Sequence, residues 1–268
     1  MLLFPNAKIN IGLNIVEKRP DGFHNLESCF YPVGWTDVLE VVRSESFAFS
    51  SGGLAIPGDP AHNLCVRAYE RLKQDFDLPP VRMHLHKIVP IGAGLGGGSA
   101  DAAFALKLLN DEFALGLTPE QLETYARPLG SDCAFFVRNQ PVYCVEKGDV
   151  FEDIGVSLTG YTAVLVYPNL AISTAEAYAG VRPRRPAVPL RALLEAPVET
   201  WRQHVRNDFE ESLFPKYPLL ERLKAELYEQ GAVYASMSGS GSTLYGIFGQ
   251  PPVLPNHFAA YRVWQGNL

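Results

Sequence analysis

The sequence predicts an α+β protein of two lobes, and the order of its elements and its length are the observations behind this. Segments that alternate like strands come first, and helices mixed with strands follow, which does not match a regular βαβ series. A chain of 268 residues lies near the size at which one hydrophobic core stops growing. The pattern changes around residues 149–158, so we predict a first domain over residues 1–155 and a second over residues 156–268.

The first predicted strand covers residues 7–16, where polar and apolar residues alternate strictly. Lys8 and Asn10 lie on its polar face, and a lysine at such a position is usually a solvated surface charge. A turn over residues 19–22 leads to a second β region that reaches Val42, and a Ser/Gly loop is predicted over residues 50–53. The chain therefore begins with an open, strand-rich segment.

The later elements rest on helical spacing, capping residues and apolar runs. They are a helix over 62–76, a strand over 81–89, a helix from Ser99 to Leu109, a helix from Pro119 capped by Thr118, a strand over 163–167, a surface loop over 181–190, helices from about Trp201 and over 218–230, and a strand-turn-strand over 232–248.

Composition and charge exclude several classes of protein. The 47% hydrophobic and 19% charged residues are typical of a soluble globular chain. A net charge of −6, with no basic run longer than Arg184-Arg185, argues against binding a nucleic acid polymer. No apolar run is long enough for a bilayer and the first residues do not read as a signal peptide, so we expect a cytoplasmic protein without membrane contact. Nothing indicates an obligate protein partner.

Neither a metal site nor a disulfide framework is indicated. His84 and His86 have a spacing that can ligate a metal, but no third ligand lies near them, so we predict an exposed polar strand face and assign no metal ligand. The cysteines are scattered without a C-x-x-C pair, and we expect reduced, mostly buried thiols. They are Cys29, Cys65, Cys133 and Cys144.

The segment most suggestive of chemistry is a glycine-dense loop that runs directly into the helix beginning near Ser99. Glycine allows positive φ and leaves the backbone N–H groups open to a ligand, and a helix N-terminus favours an anion. The loop therefore predicts a phosphate site, with Ser99 either as the helix N-cap or as a ligand of Mg²⁺. Its glycines are Gly92, Gly94, Gly96, Gly97 and Gly98.

Two other phosphate-binding patterns fit this loop less well. Gly92, Gly94 and Gly97 spell the dinucleotide G-x-G-x-x-G, but the preceding strand alternates and is not a buried aliphatic run. No Lys-Ser or Lys-Thr follows the last glycine, so the Walker pattern is excluded. A second glycine turn, Gly239 to Gly241, either adds N–H groups for phosphate or is a hairpin-like turn.

Four separated segments, read together, resemble the GHMP kinase family, whose fold has a nucleotide-binding N-terminal lobe and a substrate-side C-terminal lobe. Pro5-Asn-Ala-Lys-Ile-Asn10 is similar to the family's first strand, and the loop from Pro90 to Ala103 to its phosphate loop. Leu129-Gly-Ser-Asp-Cys-Ala-Phe-Phe136 and Met237-Ser-Gly-Ser-Gly-Ser-Thr243 resemble the remaining two motifs. The resemblance covers nearly the whole chain and implies a small-molecule kinase with ATP as phosphoryl donor and Mg²⁺.

Three further segments resemble one branch of the family. They are Asp21-Gly-Phe-His24, His62-Asn-Leu-Cys-Val-Arg-Ala68 and Asn207-Asp-Phe-Glu210. That branch phosphorylates a hydroxyl of 4-diphosphocytidyl-2-C-methyl-D-erythritol, giving the 2-phosphate in non-mevalonate isoprenoid precursor biosynthesis. The implied partner is thus a small molecule that carries cytidine diphosphate. Phe23 replaces the branch's usual Tyr, and Cys133-Ala134 replaces its common Val-Pro.

The resemblance also implies roles for individual residues. Asp132 is the expected general base, although alone it would be read as a turn residue, and Lys8 would keep it anionic and stabilise charge on the acceptor oxygen. For Tyr178, a place in the core of a helix is the alternative to stacking. The implied ATP-binding residues are the five loop glycines with Ser99, Asn63 and Lys87, and the implied substrate-binding residues are Asn10, Phe23, His24 and Tyr178.

Two competing hypotheses stay open at this point. A sister kinase would act on homoserine, mevalonate or a sugar, and the Asp21-to-His24 segment argues against it because it implies cytidine binding. A non-catalytic nucleotide-binding protein of the same fold is disfavoured by the presence of Lys8, Asp132 and the complete loop.

Overall fold

The computed structural model describes residues 1–268, which divide into two compact units, each made of separated segments. The first unit comprises Met1–Ala7, Trp35–Ile91 and Gly96–Gln140, and the second comprises Lys8–Gly34, Gly92–Leu95 and Pro141–Leu268. Both units mix helices with sheet, as the predicted α+β class requires. The division of the chain into domains over residues 1–155 and 156–268 stays a prediction.

Strands and helices are numbered in chain order. The strands are β1 (Leu2–Leu3), β2 (Asn6–Lys18), β3 (His24–Thr36), β4 (Val38–Arg43), β5 (Ala48–Gly53), β6 (Val81–Lys87), β7 (Val142–Val145), β8 (Val150–Asp153), β9 (Thr162–Tyr167), β10 (Tyr234–Met237), β11 (Leu244–Phe248) and β12 (Arg262–Asn267). The α-helices are α1 (Leu64–Lys73), α2 (Gly97–Glu112), α3 (Pro119–Ala126), α4 (Phe135–Arg138), α5 (Thr174–Ala179), α6 (Leu190–Leu194), α7 (Trp201–His204), α8 (Phe209–Leu213) and α9 (Pro218–Glu229).

The first unit contains a four-stranded sheet in the order β1-β4-β6-β5 together with α1 to α4. β6 alternates between buried and exposed residues as predicted, with His86 exposed. The loop predicted over residues 50–53 is wrong, because these residues belong to the edge strand β5, which runs parallel to β6. Its hydrogen-bond partners come from β6 and the Ser50 hydroxyl lies 2.8 Å from His84 Nδ1, neither of which the local Ser/Gly composition reveals.

The second unit contains two four-stranded sheets, in the orders β2-β3-β7-β8 and β10-β11-β9-β12. β2 is the predicted first strand, and its apolar face is buried. Its polar face is buried as well, since Lys8 and Asn10 are each 3% exposed. The interpretation of Lys8 as a solvated surface charge is therefore wrong, because other parts of the same unit cover that face.

Most helix boundaries follow their capping residues. Asn63 caps α1 by accepting the N–H of Cys65 at 2.9 Å, and the helix ends at Lys73, three residues before the predicted end. Thr118 caps α3 as predicted. The four cysteines are buried, as predicted. No helix combines the length and the apolar character needed to span a membrane.

Candidate active site

The glycine loop joins β6 to α2 and adopts a backbone conformation that only glycine accepts easily. Gly92, Gly94 and Gly96 have φ values of 63°, 79° and 69°. Gly96 is the residue that precedes the first helical turn, and Ser99 is the third helical residue. Ser99 is therefore not the N-cap, and that interpretation of its hydroxyl is wrong. The first turn of α2 carries free N–H groups, which favour an anion, and the phosphate site at this loop stays a prediction.

The first end of the loop, residues 92–95, belongs to the second unit and is held by groups distant in sequence. The carbonyl of Gly94 accepts the Ser238 hydroxyl at 2.8 Å and Lys8 Nζ at 3.2 Å. The N–H of Thr243 donates to the carbonyl of Ala93 at 3.2 Å. A Cβ on Gly94 would lie 2.0 Å from the carbonyl oxygen of Ser238, so only glycine fits this close approach.

Lys8 and Asn10 form a buried polar pair on β2. Lys8 Nζ donates to Asn10 Oδ1 at 2.5 Å and lies 4.8 Å from the centre of the Phe30 ring. Asn10 Nδ2 donates to the Ser28 hydroxyl at 2.9 Å, which in turn donates to the Gly12 carbonyl at 2.6 Å. These bonds fix the ammonium and the amide in position, so an oxyanion that approaches them meets donors that need little reorganisation.

The second end of the loop belongs to the first unit and lies against a second buried lysine. Lys87 Nζ donates to Asp101 Oδ2 at 2.7 Å and also to Asp37. Asp37 Oδ1 accepts the N–H groups of Ile88 at 2.5 Å and of Val89 at 2.8 Å, immediately before the loop. A Cβ on Gly97 would lie 2.9 Å from Lys87 Nζ, so this ion cluster touches the start of α2.

The charged groups of this ion cluster shift one another's pKa values. Burial lowers the pKa of Lys87, but the carboxylates of Asp101 and Asp37 more than offset this, and the pKa lies above its ordinary value. Burial raises the pKa of Asp101, whose Oδ1 has no hydrogen-bond partner, against the lowering effect of Lys87. The cluster thus keeps Lys87 charged in a buried position.

Asp132 lies partly exposed in the turn that precedes α4, as its Gly-Ser-Asp context predicts. The next residue, Cys133, is buried, and its thiol is hydrogen-bonded to the Ser99 hydroxyl. Burial raises the pKa of Cys133 to about 11, so this thiol stays protonated at neutral pH. The residue beside the predicted general base therefore contacts the first turn of α2.

The predicted substrate-side aromatic residues are only partly brought together. His24 and Tyr178 stack directly, with ring centres 4.8 Å apart and planes 28° apart. Tyr178 also meets the edge of Phe209 at 5.0 Å. Phe23 is 60% exposed, and the ammonium of Lys147 lies 5.4 Å from its ring centre. His24 and Tyr178 thus form one stack while Phe23 presents its ring to solvent.

Several residues of these clusters escaped sequence reasoning. Asp101 gives a weak signal, because it is a charged residue in the otherwise uncharged first half of the Ala-rich helix α2, and Asp37 gives none. Ser238 precedes the second glycine turn, for which the sequence predicts either N–H groups for phosphate or a hairpin-like turn, and Asn207 lies in a motif to which the sequence assigns no role. Their contacts join segments far apart in sequence, which spacing along the chain does not predict.

Comparison with known proteins identifies the family. Residues 63–140 match the GHMP kinases N terminal domain, and residues 190–265 match the GHMP kinases C terminal domain. The chain belongs to the GHMP kinase family, and membership in a family of kinases implies ATP as the phosphoryl donor.

Relatives over the full length define the branch. A protein of Cytophaga hutchinsonii is 51% identical over 253 residues, 94% of each chain, and one of Parabacteroides distasonis is 47% identical over 270 residues, 100% of each chain. Both are named 4-diphosphocytidyl-2-C-methyl-D-erythritol kinase. A crystal structure of 4-(cytidine 5'-diphospho)-2C-methyl-D-erythritol kinase is 29% identical, with a TM-score of 0.83 over 99% of this chain and 98% of that chain. The mevalonate kinase of Methanococcus jannaschii, at 11% identity and a TM-score of 0.68 over 99% of this chain and 97% of that one, shares the fold.

Proposed function

We propose that this chain transfers the γ-phosphoryl group of ATP to a hydroxyl of 4-diphosphocytidyl-2-C-methyl-D-erythritol, giving the 2-phosphate in non-mevalonate isoprenoid precursor biosynthesis. The observation that carries this proposal is similarity to kinases of that name over nearly the whole of both chains, at 51% identity and 94% coverage for the Cytophaga hutchinsonii protein. Since ATP is supplied in the cytoplasm, we propose the same compartment for the enzyme.

The ATP phosphates are proposed to bind to the glycine loop. Its positive-φ glycines turn the backbone toward the first turn of α2, where free N–H groups favour an anion. Asn63 and Lys87 remain the proposed residues on the adenosine side. Because two carboxylates hold the ammonium of Lys87, we propose that it acts through the shape of the loop. The ATP-binding set is Gly92, Gly94, Gly96, Gly97, Gly98, Ser99, Asn63 and Lys87.

The acceptor side is proposed to use Asp132, Lys8 and Asn10. The Asp132 carboxylate would take the proton of the substrate hydroxyl as its oxygen attacks the γ-phosphorus and ADP leaves. Lys8 would stabilise the negative charge of the transferring group, and Asn10 would orient the hydroxyl. The buried bond between Lys8 and Asn10 supports a shared role, because it fixes both side chains before substrate binds.

A Mg²⁺ ion fits this proposal through the chemistry of Ser99. Mg²⁺ prefers oxygen ligands and is usually held by nucleotide phosphates, water and one or two protein groups. Ser99 offers a hydroxyl oxygen on the first turn of α2, fixed by its hydrogen bond with Cys133. When bound, the ion would neutralise charge on the transferring phosphate.

The cytidine base is proposed to bind at His24, Phe23 and Tyr178. His24 would supply hydrogen bonds, and the two other rings would supply stacking faces at low cost in side-chain entropy. The exposed ring of Phe23 and the stacking of His24 on Tyr178 support this proposal.

Parallel assays of ATP consumption test the substrate. The protein is incubated with Mg²⁺-ATP and, in separate wells, 4-diphosphocytidyl-2-C-methyl-D-erythritol, homoserine, mevalonate or galactose. We expect turnover with the cytidine compound alone and competition by CMP. Turnover of another acceptor without an effect of CMP would support a sister kinase, and no turnover in any well would support a non-catalytic protein.

The Asp132→Asn variant tests the chemistry. We expect kcat to fall by about 10²- to 10⁴-fold with ATP binding nearly intact, because a positioned proton acceptor is lost. Asp59→Asn is the matched control, since Asp59 is an exposed carboxylate that caps the short helix over residues 60–62. Steady-state kinetics and nucleotide titration measure both properties, and near-parental kcat in Asp132→Asn would exclude the general-base role.

A further inference from the structure

The four residues Asn207-Asp-Phe-Glu210, here called the 207–210 segment, contact several parts of the second unit. Asn207 is 2% exposed although it precedes a short helix. Its Nδ2 donates to the carbonyls of Met237 at 2.7 Å and of Gly239 at 2.8 Å, while its Oδ1 accepts the N–H of Phe209 at 3.0 Å. Only an amide supplies both donors and the acceptor at this position.

The turn that Asn207 holds reaches the glycine loop and β2. Between the two carbonyls lies Ser238, whose hydroxyl donates to the Gly94 carbonyl at 2.8 Å and accepts the N–H of Asn10 at 3.2 Å. A Cβ on Gly239 would lie 3.2 Å from both Asn10 Oδ1 and the Gly94 carbonyl oxygen. The position of this turn therefore sets the position of Gly94 and Asn10.

The rest of the segment fixes Asn207 itself. Glu210 Oε1 accepts the N–H of Met237 at 2.8 Å and the hydroxyl of Ser236 at 3.0 Å. Asp208 accepts the N–H of Ile15 on β2 at 2.8 Å. The segment is thus attached both to the strand that carries Lys8 and Asn10 and to the strand that leads into the glycine turn, so it sets the distance between them.

We infer that Asn207 is a positioning residue for phosphoryl transfer, which holds the turn over residues 237–239 so that Ser238 fixes Gly94 of the phosphate loop and Asn10 of the acceptor side. Glu210 assists by holding the same turn from its N-terminal side. This inference rests on the proposed function, because its kinetic effect is measured in that reaction. Displacements of about 1 Å at such a site lower rates by about 100-fold.

Two substitutions at Asn207 separate positioning from helix capping. Asn207→Asp keeps the acceptor for the N–H of Phe209 but places a carboxylate against two carbonyl oxygens, and Asn207→Ala removes all three bonds. We expect both variants to lower kcat by about 100-fold with KM for ATP much less affected. Parental kcat in Asn207→Asp would overturn the inference, since only capping would then matter.

Asn110→Ala is the matched control for a purely structural amide. Asn110 lies on α2 and bridges the N–H and carbonyl of Leu117 at 2.9 and 3.4 Å. We expect a lower Tm with unchanged kcat, and an equal loss of kcat would overturn the inference. Should the Asn207 variants not fold, Ser238→Ala removes the two contacts to Gly94 and Asn10 directly. A parental kcat in that variant would contradict the positioning role.

Amide hydrogen exchange gives a readout independent of turnover. In the parent, the N–H of Ser238 bonds to Thr243 at 2.9 Å and that of Gly241 to Ser238 at 3.0 Å. We expect faster exchange at both amides in Asn207→Asp and no change in Asn110→Ala, and unchanged exchange in Asn207→Asp would refute the role. A parent that does not turn over the cytidine substrate overturns the proposed function alone, and the exchange data then decide the positioning role.

Discussion

Different kinds of interaction hold the two ends of the glycine loop, although a buried lysine lies beside each end. Lys8, at the first end, donates to the Gly94 carbonyl and the Asn10 amide. Lys87, at the second end, donates to two carboxylates. Both lysines are 3% exposed, so burial does not distinguish them. The hydrogen bonds of Lys8 lead to residues that are proposed to contact substrate. Those of Lys87 connect β6 to Asp37 and to α2, so they stabilise the structure on which the loop is built.

Replacing Lys87 should have the largest effect on stability. Lys87→Met leaves Asp37 and Asp101 buried without their cation, and breaking a buried ion pair from one side costs about 3–5 kcal/mol. Lys107→Met is the control, because Lys107 donates to one neutral group, the Phe136 carbonyl at 3.0 Å, and a single such bond contributes about 1 kcal/mol. Urea unfolding measures both, and equal losses would contradict a special role for the ion cluster.

Replacing Lys8 should act on the chemical step. We expect Lys8→Ala to lower kcat by about 10²- to 10³-fold, as for the loss of one donor to a developing negative charge, and to raise KM for ATP much less. Steady-state kinetics with varied ATP measure this. If KM alone changes, Lys8 is a binding residue. The two lysines then differ in that Lys8 binds ATP and Lys87 stabilises the fold.

The smallest difference between two matched variants should come from the loop backbone itself. Gly94→Ala and Gly92→Ala both place a Cβ at positive φ, which costs about 1–2 kcal/mol. Only at Gly94 does that atom clash, 2.0 Å from the Ser238 carbonyl oxygen, while Gly92 has nothing within 4 Å. We expect an additional loss of about 1–3 kcal/mol for Gly94→Ala in thermal unfolding. Equal losses would show that the first end of the loop is not held by the turn.

Sequence reasoning worked where the signal was local and failed where it depended on distant partners. The alternation of β2, the cap at Thr118 and the loop-to-helix junction were all predictable because neighbouring residues determine them. The burial of Lys8 was not, since the groups that cover β2 come from remote segments. Likewise, β5 needed β6 as its partner, and Asp37 meets Lys87 across 50 residues of chain.

The site residues divide in the same way. Glycine chemistry alone predicted an anion at the loop, whereas Asp132 was assigned as a general base only through resemblance, because an isolated Gly-Ser-Asp is an ordinary turn. Asn207 illustrates the limit of sequence reasoning, since its amide donates to two carbonyls that lie 30 and 32 residues further along the chain.

The segments of the two units alternate along the sequence, which affects the order in which the protein folds during translation. The last segment of the first unit ends at Gln140, so that unit can complete its fold while the ribosome is still translating the rest. The second unit needs β2 from the start of the chain and β12 from its end. The backbone N–H of Asn10 on β2 can donate to its final partner only after Ser238, 228 residues later, has been synthesised. We therefore expect activity to appear only once β12 has left the ribosome, although the strand that carries Lys8 is made long before.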